Sequence, residues 1–267
     1  MPWSVKRGTF LPMSREVIIG AIVILAIVGS ALWYGLTQPS TPPPSYSGEI
    51  IEESEFYSIR VAYPTTTPLR VSAGIEKDEA AVAFLKTEVE SGVQAFKANT
   101  DPSTLSEEER AVMGLGSSRK YTLEINYEAT TSPTTLSYIL FAYEDTLGAH
   151  PNANYITETF ELKSGARLTL RELFAFGADY LGILSTLARA KLPLQIASAG
   201  NIPIEAVNMA YIEAGTEPTE LNFQNFYLSD DTFTMLFPPY QVGPWALGLQ
   251  SVSVPRSELT HLKPEYR

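Results

Sequence analysis

The sequence predicts an α+β fold, mainly an antiparallel sheet with interspersed helices, preceded by one N-terminal transmembrane helix. Three observations support this prediction: a charge-free apolar run near the start, several strand-like segments separated by turns, and amphipathic segments placed between them. The 267 residues are 45% apolar, which suffices for a buried core. We therefore predict a short cytoplasmic tail at residues 1–16, a transmembrane helix at 17–36, a linker at 37–48 and an extracytoplasmic domain at 49–267.

The apolar run from Val17 to Leu36 contains twenty residues and no charged side chain. A helix rises about 1.5 Å per residue, so this run would span a bilayer hydrocarbon core of about 30 Å. Trp33 and Tyr34 lie where aromatic side chains collect at a membrane interface. A cleavable signal peptide is the alternative, since residues 29–31 are Gly-Ser-Ala. The apolar run continues past them, which favours a retained anchor.

The charges that flank this run predict its orientation. Lys6, Arg7 and Arg15 precede it, whereas the first basic residue after it is Arg60. Because basic residues stay on the cytoplasmic side, we expect a single-pass membrane protein whose C-terminal part is extracytoplasmic. Residues 37–48 are rich in Pro, Ser and Thr and are typical of an extended spacer of about 3.1 Å per residue.

The first half of the predicted domain combines strands with helices. Glu55–Tyr63 alternates as a strand, and a short helix begins at Ser106 with Glu109 as its capping-box partner. Glu76–Ala98 has the spacing of an amphipathic helix, with the apolar positions Ala80, Phe84, Val89, Val93 and Phe96. Further strands are predicted at residues 120–129, 134–143 and 154–162, the first two joined as a hairpin by residues 130–133.

The second half of the domain is predicted to contain two helices and three strands. One helix runs from Asp179 to about Ala190 and is ended by Pro193, because proline cannot donate a backbone hydrogen bond. A second helix is predicted at residues 205–214. Strands at 222–228 and 232–237 flank a tight turn at 229–231, and a last strand occupies 249–254.

Composition excludes several classes of function. The sequence has no cysteine, so disulfides, thiolate metal sites and cysteine nucleophiles are excluded. With only two histidines, a histidine-rich zinc site is excluded as well, and we expect no metal and no cofactor. After the apolar run, 16 Lys and Arg stand against 29 Asp and Glu, a charge of −13 that argues against nucleic acid. Such acidity keeps a domain soluble or attracts a basic partner.

Three sequence patterns resemble catalytic groups but have simpler explanations. His150 would serve as a base or a ligand, but a loop histidine that hydrogen-bonds backbone groups is the simpler interpretation. Ser117 and Lys120 have Ser-x-x-Lys spacing without the accompanying Lys-Thr-Gly element. Asp230 and Asp231 fit a hairpin turn better than a metal site. We therefore expect no catalytic residue.

The C-terminal part is rich in aromatic residues, which either fill the core or stack on a carbohydrate. Alternation along the strands predicts that Phe223 and Phe233 point inward. Tyr240 and Trp245 lie in a loop rich in proline and glycine, so they are candidates for exposure and binding. Together with His150, they are the candidate ligand-binding residues of the sequence.

Several motifs occur in the order that is typical of one extracytoplasmic domain family. They are GAHPN at 148–152, FELKSG at 160–165, LTLRELF at 168–174, NFQNFYL at 222–228 and FPPYQVGPWALG at 237–248. In this order they resemble the domain shared by the RsiV anti-sigma factor and the N-terminal region of PdaC peptidoglycan deacetylases. Phe56–Ala98 is similar to the strand and helix with which that domain starts, so the resemblance covers most of residues 49–267.

In RsiV-like proteins this domain binds lysozyme outside the cell, so the resemblance implies recognition of a protein or a cell-wall ligand. Two departures limit what it implies. The tail of residues 1–16 is too short for the folded cytoplasmic domain of an anti-sigma factor, and we expect no room in residues 49–267 for a separate deacetylase domain with its Asp and His metal ligands. We therefore expect a non-catalytic binding or sensor domain. The alternatives are a cell-wall hydrolase or deacetylase-like enzyme centred on His150, and a structural envelope protein.

Overall fold

The computed structural model describes residues 47–267. The predicted tail, the transmembrane helix and most of the linker lie outside these described residues. Between residues 47 and 267 no helix is long and apolar enough to cross a membrane. The strands of this part are β1 (Ser47–Glu53), β2 (Tyr57–Pro64), β3 (Tyr121–Thr131), β4 (Thr135–Asp145), β5 (Asn152–Glu161), β6 (Arg167–Leu168), β7 (Phe226–Leu228), β8 (Thr232–Phe237) and β9 (Gln250–Pro255). Its helices are α1 (Leu69–Ser72), α2 (Ile75–Asn99), α3 (Glu107–Met113), α4 (Leu170–Leu173), α5 (Tyr180–Gly200) and α6 (Met209–Gly215).

Strands β1 to β6 form a six-stranded sheet in chain order. Its neighbouring strands are antiparallel except for β2 and β3, which are parallel. A parallel pair needs a long crossover, and α1, α2 and α3 supply it between β2 and β3. Strands β7, β8 and β9 form a separate antiparallel sheet. The α+β class and the mainly antiparallel pairing are therefore as predicted.

Helix α2 covers one face of the first sheet. Its buried apolar side chains recur every three or four residues, which makes one continuous stripe: Ala81, Leu85, Val89, Val93 and Phe96. They pack against side chains of β2 and β3 such as Ile59, Leu123 and Ile125. The predicted stripe differs at its start, where Ala80 is exposed and Phe84 is half-buried. Phe84 lies at the rim of this core, with its ring centroid 6.4 Å from that of Phe160.

The second sheet is covered by α5 and has a core of its own. The largest fully buried side chains of this core include Phe223, Phe233 and Phe237. The inward orientation predicted for Phe223 and Phe233 is therefore confirmed. Leu184, Ala188, Leu192 and Ile196 of α5 recur at helical spacing and face the same core.

The two sheets meet where β7 lies against β4 and β5. The backbone N–H of Phe226 donates to Oγ1 of Thr157 over 2.9 Å. Side chains alternate along β5, so Thr157 lies on the face opposite Phe160, which belongs to the core under α2. One face of the first sheet is thus covered by α2, and part of the other by β7.

Helix α5 does not end at Pro193, as the sequence predicted, but continues to Gly200. A proline inside a helix removes one backbone hydrogen bond and crowds the preceding turn. Pro193 is itself buried, and Leu192 and Ile196 beside it are buried in the same core. Burial of this face offsets the lost hydrogen bond. The helix ends instead at Gly200, and its C-cap residue, Asn201, adopts the left-handed conformation.

Other predicted elements are shorter than expected. Residues 222–228 hold a 3₁₀ turn, Leu221–Phe223, and only three residues of strand, β7. The helix predicted at 205–214 is a 3₁₀ turn, Ile204–Ala206, followed by α6 from Met209. Conversely, β1 includes Ser47 and Gly48, the last two residues of the predicted linker.

Hydrogen bonds of the Gln241 side chain hold the loop after β8, residues 238–248, against the rest of the fold. Nε2 of Gln241 donates to the carbonyl oxygens of Gly215 and Asn222, each over 2.8 Å. This close approach needs glycine at 215, because a Cβ atom there would lie 1.8 Å from the carbonyl oxygen of Gln241. The end of α6 therefore positions the loop.

Gly215→Ala is expected to lower the free energy of unfolding by about 1–3 kcal/mol, since the added methyl group collides with backbone. Gly92→Ala in α2 is the matched control. The nearest atom to its added Cβ is Ile125 Cδ1 at 3.6 Å, so helix propensity should raise stability by up to about 1 kcal/mol. Chemical denaturation measures both changes. Equal effects of the two substitutions would contradict this account of the loop.

Candidate functional site

A cavity of about 320 Å³ lies beside the loop that joins β4 to β5. The first sheet supplies one side of it, and the loop of residues 238–248 supplies the other. Its lining residues are Ala142, Glu144, Asn152, Ala153, Asn154, Pro238, Pro239, Tyr240 and Trp245.

The register of β4 and β5 arranges the polar side of the cavity. Glu144 pairs with Asn152, and Ala142 pairs with Asn154. Side chains alternate along a strand, so these four residues lie on the same face of the sheet. Ala142 is the small member of the group and leaves space between the larger polar side chains. The carboxyl group of Glu144 and the amide groups of Asn152 and Asn154 therefore line the same cavity.

Tyr240 is the most unusual residue of the loop side. Its φ angle is 71°, in the left-handed region that a side chain other than glycine disfavours by about 1–2 kcal/mol. Its side chain is 53% exposed. Pro238 and Pro239 precede it and contribute apolar walls to the cavity. The backbone thus turns sharply at Tyr240 and directs an aromatic ring to the surface.

His150 connects the two sides of the site. Its Nδ1 lies 2.9 Å from the carbonyl oxygen of Pro151, which can only accept, so Nδ1 carries the hydrogen and donates. In the neutral ring Nε2 then accepts a hydrogen bond from the hydroxyl group of Tyr240 over 2.8 Å. The imidazole also stacks on Trp245, with 4.3 Å between ring centroids and 23° between planes. One side chain of the β4–β5 loop thus contacts both aromatic residues of the other loop.

The β4–β5 loop carries a second unusual backbone conformation. Leu147 has a φ angle of 59°, its side chain is buried, and its backbone N–H donates to the Asp145 carboxylate over 2.8 Å. Among residues 47–267, three residues other than glycine have positive φ angles: Leu147, Tyr240 and Asn201. Asn201 lies at the end of α5. The other two stand in the two loops that form this site. Strained backbone clusters at functional sites, because surrounding contacts must hold it.

Among the described residues, Glu144 is the one that lines the cavity with a carboxyl group. Partial burial removes water from the charged form and raises the pKa of this group above its usual value of 4.5. A carboxyl group with a raised pKa keeps its proton to higher pH, so it donates as well as accepts hydrogen bonds over a wider pH range.

The three binding candidates of the sequence, His150, Tyr240 and Trp245, come together at this site. His150 makes the backbone hydrogen bond expected of a loop histidine, and in addition it holds Tyr240. His261 lies elsewhere, and its carbonyl oxygen accepts from Ala175. In the part of the chain that the structure describes, no three His, Cys, Asp or Glu side chains are grouped so that they could hold a metal ion.

Sequence reasoning missed Glu144, Asn152 and Asn154 as site residues. The sequence feature that could have identified them is the pairing of β4 with β5 across the loop that contains His150. The predicted strands ended at residue 143 and began at 154, whereas β4 extends to Asp145 and β5 begins at Asn152. Glu144 and Asn152 therefore fell outside the predicted strands, and their pairing could not be inferred.

Comparison with known proteins shows that part of the chain is similar to a family. Residues 171–257 match the family described as "Protein of unknown function (DUF3298)", a segment that includes Tyr240 and Trp245 but not His150. The chain is also 25% identical over 219 residues to the peptidoglycan-N-acetylmuramic acid deacetylase PdaC of Bacillus subtilis strain 168. That match covers 81% of this chain and 41% of PdaC, so this chain spans less than half the length of that relative.

Two solved structures have a similar fold. A DUF3298 family member from Bacteroides fragilis NCTC 9343 has a TM-score of 0.54 and 19% identity, with 81% of this chain and 91% of that chain covered. A DUF3298 protein from Pseudomonas aeruginosa PAO1 has a TM-score of 0.51 and 12% identity, with coverage of 82% and 93%. At these identities the likeness shows the fold alone. The two sequence matches confirm the predicted resemblance to PdaC, and residues 171–257 are similar to the DUF3298 family, whose function is unknown.

Proposed function

We propose that this chain is a membrane-anchored extracytoplasmic domain that binds or senses a protein, such as a lysozyme, or a cell-wall ligand, without catalysing a reaction. The observation that carries the proposal is that Tyr240 and Trp245 line one cavity and that His150 contacts both of them. Ligand sites combine apolar and aromatic walls with a few fixed polar groups. This cavity has that composition, with two prolines and two aromatic rings facing a carboxyl group and two amides.

The engagement of His150 favours binding over catalysis. For His150 to act as a general base, one of its ring nitrogens must be within reach of the proton that it removes from a substrate. Both ring nitrogens of His150 are already hydrogen-bonded, Nδ1 to Pro151 and Nε2 to Tyr240. Among the described residues that line the cavity there is also no Ser, Thr, Cys or Lys, and the groups left as nucleophiles are the carboxyl group of Glu144 and the hydroxyl group of Tyr240, which His150 holds. These features support a site that holds a ligand.

The similarity to PdaC supports a ligand in the cell wall. PdaC is by its name a deacetylase of peptidoglycan, and it shares 219 aligned residues with this chain. Because the match covers 41% of PdaC, we propose for this chain a shared affinity for the wall and not the deacetylase activity.

The charge of the domain supports a basic protein as the other kind of ligand. After the apolar run the chain carries 16 Lys and Arg against 29 Asp and Glu, a formal charge of −13. A surface of one sign attracts partners of the opposite sign and raises their rate of association. A lysozyme-like protein that carries a positive charge would meet this condition.

The placement outside the cell rests on Val17–Leu36 as a single membrane anchor. A tag fused behind Arg267 tests it directly. In intact cells we expect an added protease to remove this tag, while a tag fused before Met1 stays protected. Protection of the C-terminal tag until the cells are lysed would contradict the proposed orientation.

Binding is tested with the full-length chain in detergent, mixed separately with purified peptidoglycan and with immobilised lysozyme. We expect retention on at least one of the two. Tyr240→Gly should weaken that retention, since it removes the exposed ring at a φ angle that glycine tolerates. Tyr211→Ala is the matched control, because Tyr211 is 40% exposed and does not line the cavity.

Two results would contradict the proposal. The first is the absence of retention on both materials, which would favour a structural envelope protein. The second is release of acetate or of sugar fragments from peptidoglycan by the wild-type chain that His150→Ala abolishes. That result would establish the enzymatic alternative in place of binding.

A further inference from the structure

We propose that the cavity binds one neutral pyranose ring of a glycan, which stacks on Tyr240 and hydrogen-bonds through its hydroxyl groups to Asn152 and Asn154. This inference rests on the proposed function and narrows its ligand to a carbohydrate. The size of the cavity, the fixed aromatic ring, the polar groups and the charge of the lining support it.

The size and the mixed lining of the cavity suit a single sugar ring. Its volume of about 320 Å³ is near the lower end of the range of about 300–1,000 Å³ for small-molecule pockets. It therefore holds one ring and not an extended segment of polymer. A pyranose has apolar C–H faces and a rim of hydroxyl groups, so it needs a flat apolar wall opposite hydrogen-bonding groups. The cavity places Pro238, Pro239 and Tyr240 opposite a polar strand pair.

Tyr240 is better suited than Trp245 to stack on the sugar. The imidazole of His150 already covers one face of the Trp245 ring. Tyr240 is 53% exposed, and its hydroxyl group is held by His150, so its ring is both accessible and fixed in orientation. The negative face of an aromatic ring attracts the weakly positive C–H groups of a sugar. Because the ring is held before the ligand arrives, binding loses less side-chain entropy.

The polar side of the cavity matches hydroxyl groups. Each Asn side chain offers two donors and an acceptor, and each hydroxyl group both donates and accepts. Asn152 and Asn154 are two residues apart on β5, so they face the same way along one strand. Glu144 lies across from Asn152 and supplies a carboxyl group. Strand pairing fixes the spacing of all three groups.

The charge of the lining favours a neutral ligand. Among the described residues that line the cavity there is no Lys or Arg, so phosphate or another anion would lack a cationic partner. A cationic side chain of a basic protein is the rival occupant, because aromatic rings and a carboxylate attract cations. Glu144 is the sole carboxyl group of the lining, and partial burial disfavours its charged form. The two amides add no charge, which makes a hydroxylated ring the better match.

The test uses the full-length chain in a detergent without a sugar headgroup and titrates neutral oligosaccharides, chitotetraose and cellotetraose. Isothermal calorimetry should give a dissociation constant for at least one of them, unchanged between 0.05 and 0.5 M salt, a range over which ionic contacts weaken. Tyr240→Gly should weaken binding about tenfold or more, and Asn154→Ala should weaken it about fivefold. Tyr211→Ala should bind as the wild type does. Thermal unfolding should show that all three variants remain folded.

Either of two results with the oligosaccharides would overturn the inference and leave the proposed function standing. One is retention on peptidoglycan or lysozyme without measurable binding of either oligosaccharide. The other is oligosaccharide binding that Tyr240→Gly leaves unchanged, which would place the sugar elsewhere. Binding of poly-lysine that weakens with salt and with Glu144→Gln, in the absence of sugar binding, would establish the cationic rival. Absence of binding to every one of these materials would overturn the proposed function as well.

Discussion

The contact of His150 with Tyr240 and Trp245 joins two loops that belong to different sheets. The first loop connects β4 to β5, and the second follows β8. Neither loop forms a cavity alone, because the polar residues stand on one side and the aromatic residues on the other. The imidazole joins them with one hydrogen bond and one stacked ring. The two sides of the candidate site are therefore joined by a side chain whose two nitrogens both have partners.

The rest of the fold holds these two loops in place. Strand register fixes Glu144 opposite Asn152, and the hydrogen bonds of Gln241 to the end of α6 and to Asn222 fix the start of the second loop. With these supports, Tyr240 adopts a backbone conformation that a free chain would avoid. The strain keeps an aromatic ring at the surface, where burial does not stabilise it. Such an arrangement is understandable if the ring contacts a ligand.

The sequence was sufficient to predict those parts of the fold that depend on local patterns. Helix α2 and the hairpin of β3 and β4 follow from periodicity and turn residues, which act over a few positions. The course of α5 through Pro193 could not be predicted, because burial against the second sheet outweighs the local effect of proline. For the site, the loop composition identified Tyr240 and Trp245. The polar side required the register of β4 and β5, which is a long-range property.

The most direct test of the account is a double-mutant cycle between His150 and Tyr240, measured as the free energy of unfolding. His150→Ala removes the imidazole, Tyr240→Phe removes only the hydroxyl group, and the double variant removes both. If the hydrogen bond joins the two loops, the two effects should be non-additive by about 0.5–1.5 kcal/mol. Effects that add to within about 0.3 kcal/mol would show that the loops are held without this contact, and the account of the site would be wrong.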